Sequence, residues 1–114
     1  MIPAEILNKL DTCALALGQG NSRLKTLSIK KAQTERDYKV RQAQEILKLR
    51  AEGYPVTIIQ DLVKGNEEVA RLRLERDIAE SAYYTCIGAI DNLKIEIEIY
   101  RSQLAWLKVE YENS

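Results

Sequence analysis

The chain contains no histidine. The commonest general base and metal ligand is therefore missing, and neither a Ser-His nor a Cys-His nucleophile can be assembled. The residues left with reactive potential are carboxylates, two thiols and one glycine-rich stretch. Seventeen acidic residues are interleaved with 17 basic ones, the pattern of solvated helix faces rather than of paired catalytic acids. The Glu-x-x-His element of carboxylate-bridged metal bundles cannot be written with this composition. Cys13 and Cys86 could form a redox pair. In a hairpin turning near residue 59, however, Cys13 falls level with residue 106 and Cys86 with residue 33, and both lie on apolar faces, as packed thiols do. Gly18-Gln19-Gly20-Asn21-Ser22 lacks the Gly-Lys-Ser/Thr ending of a phosphate-cradling loop and follows a helical segment rather than a strand. The expectation is a protein that is not an enzyme, with no cofactor and no metal.

Binding chemistry is better represented. Between Arg23 and Arg50 stand nine basic and three acidic residues, a net of +6, with Lys30, Lys31, Arg36, Lys39 and Arg41 where apolar residues are sparsest. These five are the candidate nucleic-acid contacts, and their binding would be salt-sensitive and independent of sequence. Tyr38 is the only aromatic there, which is poor for base stacking. The competing reading is charge pairing with Asn66 to Glu98, where eight acids face four bases. Arg71, Arg73 and Arg76 after a Gly-Asn turn suggest a helix-turn-helix, but the helix that carries them is far longer than a recognition helix.

The elements that position these residues are helical. From Asn66 to Asn113 two apolar series run in sevens: Val69, Arg76, Tyr83, Ile90, Ile97, Leu104, Tyr111, and Leu72, Ala79, Cys86, Leu93, Tyr100, Leu107. The second follows the first by three residues at every step, which is the seam of a helix that packs along its length. Arg76 alone breaks it. Upstream, Pro3 suits a first helical turn, and Ile6, Leu10, Cys13 and Leu17 form one face. A break is expected at 18–22, where two glycines weaken the helix; a continuous helix is the alternative, because Leu24 and Leu27 extend the stripe in phase. Gly53 and Pro55 stop this first arm, about 3–52. In the connector, 53–65, Thr57 and Gln60 suggest a capping box ahead of Ile58, Ile59, Leu62 and Val63. Asn66 can cap the second arm, about 66–111. The predicted fold is a single all-α domain, 1–114: a long antiparallel helical hairpin with a short helical connector and coiled-coil-like packing.

The second arm carries more apolar surface than one partner helix covers. Opposite its seam lie Leu74, Ile78, Ile95, Ile99, Trp106 and Val109. This is the expected partner or oligomer face, with Trp106 as anchor and a homodimer favoured by the prevalence of two-fold symmetry. The connector tip, Tyr54, Val56, Ile58 and Ile59, is a second candidate surface. No apolar run approaches the ~18 residues of a membrane span. The opening residues, MIPAEILNKLD, have no basic leader, and two cysteines without a signal peptide read as free thiols, so a cytoplasmic location is expected.

The stretch AEGYPVTIIQDLVKGNEEVARLRLERDIAESAY, with DNLKIEIEIYRSQLAWLKVEY after it, resembles small, largely uncharacterised helical proteins of phages and prophages of Gram-positive bacteria. Its most distinctive residues are Gly53 to Thr57, Asp61, Lys64-Gly65 and Leu104 to Leu107. The resemblance implies a phage accessory role and assigns no activity or site residue. The expected function is non-enzymatic: an accessory protein that binds an unidentified protein partner and self-associates through helix faces. The alternatives are a nucleic-acid-associated helper in recombination or replication using 23–50, and an inhibitor of a host defence protein.

Overall fold

The structure, a computed structural model, describes residues 2–113. Three helices follow one another, α1 (Pro3–Ala51), α2 (Val56–Gly65) and α3 (Glu67–Glu112). They form the antiparallel hairpin that the heptads predict. Its packing divides into two units, one of Met1–Lys25 with Tyr84–Ser114, the other Thr26–Tyr83. In α3 every seam position from Val69 to Leu107 is buried or half-buried, and Tyr111 lies outside.

In the first unit Ile6 and Cys13 on α1 and Cys86 and Ile90 on α3 are buried. The expected break at 18–22 does not occur: α1 is continuous through both glycines. Gly20 faces the seam, and a Cβ placed there would stand 3.1 Å from Ile90 Cγ1. The Cys86 thiol donates to the Gly20 carbonyl at 3.6 Å. Close approach of α3 thus explains Gly20 and offsets its helix penalty. Gly18 faces open space, with nothing within 4 Å of an added Cβ. Gly18→Ala is therefore expected to stabilise the fold by up to about 1 kcal/mol, whereas Gly20→Leu should overpack the seam and cost about 1–3 kcal/mol. Chemical denaturation followed by circular dichroism separates the two.

In the second unit α1 ends in a glycine cap. Gly53 takes φ +86°, its N–H donates to the Arg50 carbonyl at 3.1 Å, and the Tyr54 N–H to the Leu49 carbonyl at 3.2 Å. The expected capping box of α2 does not form. Pro55 is the N-cap and makes no side-chain bond, which places Thr57 two positions too far into the helix. Asn66 does cap α3, its Oδ1 accepting the Val69 N–H at 3.0 Å. Ile59 and Val63, one turn apart on α2, enter a core with Tyr38, Leu49 and Val69, and Ile46 and Leu72 pack at its edge.

The α1 seam continues where the sequence looked too polar to have one. Ile6, Cys13, Gly20, Leu27, Thr34 and Arg41, with Leu10, Leu17, Leu24, Lys31, Tyr38 and Glu45, are all buried or half-buried. In the second unit this seam is a polar layer. Thr34 turns its hydroxyl back to the Lys30 and Lys31 carbonyls (3.0 and 3.1 Å). The Arg76 guanidinium lies 4.4 Å from the centre of the Tyr38 ring, is 3.7 Å from Glu35 and pairs with Asp77 at 2.9 Å. Arg76 breaks the apolar series because it has polar and aromatic partners across the seam.

Candidate interaction surfaces

Reactive groups do not converge. The Cys13 thiol is pushed up by burial and by the neighbouring Glu96 carboxylate, so it stays protonated at neutral pH and is a poor nucleophile. Its neighbour Glu96 lies ten residues earlier along α3 than the expected residue 106. Cys86 meets Gly20 rather than residue 33. Both cysteines are free. Among the described residues no group of three or more Cys, Asp and Glu is placed to hold a metal, and no helix is long and apolar enough to cross a membrane.

The five basic candidates separate into two kinds. Lys31 is half-buried, its ammonium 5.6 Å from the centre of the Tyr83 ring. Arg41 is mostly buried against Glu45, with Nη2 and Oε2 3.0 Å apart. Both were expected on the surface; the continuous seam draws them in. Lys30, Arg36 and Lys39 are exposed. At about 3.6 residues per turn, Lys30 and Lys39 are two and a half turns apart and point to opposite sides of α1.

Between basic α1 and acidic α3, Arg41 acts on the Glu68 carboxyl across the second unit, helping to hold it down. The ion pair that crosses the second unit, Glu35 with Arg76, has the signs reversed. Arg36–Asp37, Lys39–Glu35, Arg71–Glu68, Arg71–Glu75 and Arg101–Glu98 all lie within one helix. Arg71 holds the Glu68 carboxyl below its usual range by direct hydrogen bonding. These pairs within helices satisfy charges locally.

The apolar face of α3 is where the sequence placed it. Ile95, Ile99, Trp106 and Val109 in the first unit are 48–65% exposed, as are Leu74 and Ile78 in the second. Their positions fall at multiples of seven residues in two rows, Leu74, Ile95, Val109 and Ile78, Ile99, Trp106, opposite the seam. At the connector, Tyr54, Val56 and Ile58 are exposed, and Ile59 is only 2% exposed. Ile59 is thus a core residue and leaves the candidate surface, because the α2 face it shares with Val63 is the one that packs. A further set was missed: Leu15, Ile29, Val40 and Leu47 point outward from α1. Reading α1 in sevens from Ile6 would have separated them from the seam.

At the end of the first unit, Leu104, Leu107 and Tyr111 line an open groove of 810 Å³ with Pro3 and Lys108. Arg101 and Glu110 also line it, and its wall is mainly apolar. Compared with protein-family models, curated proteins and solved structures, the chain matches none.

Proposed function

We propose that this is a non-enzymatic accessory protein that works by binding, and that the outward face of α3 is its binding surface. The observation that carries the reading is the exposure of Ile95, Ile99, Trp106 and Val109 on a helix whose opposite side is already packed. A row of large aliphatic residues with one tryptophan is costly to leave in water and is the composition of an interface centre. Self-association and capture of a second protein both cover such a face. Two free thiols fit a reducing compartment such as the cytoplasm. An accessory role of the phage type is in keeping with the resemblance of the second half of the chain.

A photoreactive side chain tests the surface. Placed at Ile99 and irradiated in cells, it should give discrete protein adducts, whether to a second copy or to another chain. Placed at Asn21, exposed on α1 in the same unit but off the outward face of that helix, it should give few. Equal yields at the two positions, or none at Ile99, would overturn the reading.

A further inference from the structure

We infer that the outward face of α3 in one copy docks against the outward face of α1 in another, through oppositely charged rims. The inference rests on the proposed binding role of the α3 face and names its occupant. In the first unit that face is rimmed on one side by Asp91, Glu98 and Glu112 and on the other by Glu96 and Glu110, all exposed. The bases Lys94, Arg101 and Lys108 stand one position nearer the seam. Arg101 pairs with Glu98 at 3.1 Å, which leaves four of the five rim carboxylates without that counter-charge.

The outward face of α1 in the second unit has the opposite rim. Its apolar residues are Ile29, Val40 and Leu47, each at least half exposed. Lys30 flanks them on one side and Lys39, whose ammonium lies 4.0 Å from Glu35 on the same helix, on the other. Arg36 lies between the apolar residues and is paired with the one acid of this rim, Asp37, at 3.1 Å.

Rim sign decides the occupant. When both rims of a helix face carry the same sign, packing α3 face on α3 face sets acid against acid on both sides, in parallel and antiparallel arrangements alike. Packing α3 on α1 sets acid against base on both sides in either arrangement. Rim charges choose partners in this way in helix pairing generally, and like-charge juxtaposition is penalised. The chain has no net charge, so copies approach without overall repulsion, and the exposed rim charges are available to a second molecule. The contact joins unlike faces. It closes either as a ring or as a reciprocal pair making it twice.

Sedimentation velocity on the full chain tests this. The wild type should associate with rising concentration, and more weakly as salt is raised. Lys30→Glu/Lys39→Glu and Glu96→Lys/Glu98→Lys should each weaken association by roughly tenfold or more, and an equimolar mixture should restore it, since both contacts are then complementary again. Circular dichroism of each variant checks that these exposed changes leave the helices intact. Two results overturn the inference: a wild type that stays monomeric at low salt, or association indifferent to Lys30→Glu/Lys39→Glu and strengthened by salt, the signature of α3 on α3. In the first case adducts from Ile99 to another protein would still uphold the binding role of the face; the absence of any adduct would remove both.

Discussion

Ile59→Ala is expected to destabilise the fold by about 2–4 kcal/mol, while Ile58→Ala, at the adjacent position, costs well under 1 kcal/mol. Ile59 is 2% exposed and packs with Val63, Val69, Leu49 and Tyr38. Removing its outer carbons leaves a cavity bounded by three helices, none of which can close it alone. Ile58 is 41% exposed, so its truncation removes little burial. The contrast separates α2 as a structural element from α2 as a flexible connector. In urea or guanidinium titrations monitored by circular dichroism, Ile59→Ala should shift the midpoint strongly. Equal small shifts for both variants would mean that α2 does not dock.

Arg41→Ala should cost about 2–4 kcal/mol, a large penalty for what the sequence suggested was a surface arginine. The Glu45 carboxylate is buried in the seam, and its Oε2 has no aligned hydrogen bond. Arg41 Nη2 stands 3.0 Å from that oxygen as an ion pair, too poorly directed to count as a hydrogen bond. Without Arg41 the carboxylate stays in the seam with its counter-charge gone. The estimate lies below the full cost of breaking a buried pair because the Arg41 side chain keeps 27% of its exposure. Arg41→Leu/Glu45→Leu should recover most of the loss, since an apolar pair at these positions extends the seam. A double-mutant cycle by chemical denaturation measures the coupling. Additive single effects would show that the pair contributes nothing as a unit.

The fold was legible where the apolar period was strong. The two series in α3 located its seam, and Gly53 and Asn66 marked a helix end and a helix start through chemistry tied to those residue types. α1 was harder to read because its seam changes character. Lys31, Thr34, Arg41 and Glu45 occupy heptad positions that a hydrophobicity pattern does not register, and their burial depends on partners: Tyr83 for Lys31, the helix's own carbonyls for Thr34, and each other for Arg41 and Glu45. Gly20 misled for a related reason. Alone it signals a helix break; beside Ile90 it is the residue that lets two helices approach closely. The exposed face of α3 could be read because surplus apolar residues on a helix already packed on its other side are visible in the sequence alone. The charge on its rims emerged only once the positions around each helix were fixed.

Trp106 is the single tryptophan of the chain and is 65% exposed, so its emission reports directly on whether the face of α3 is covered. Emission and acrylamide quenching should be recorded at low salt from submicromolar to several hundred micromolar protein. Coverage of the face by a second copy predicts a shift to shorter wavelength and loss of quenching as concentration rises, both reversed by salt and both absent in Lys30→Glu/Lys39→Glu. Association of the protein while Trp106 keeps a solvent-like, fully quenchable emission would contradict the account, because the copies would then be meeting through another surface.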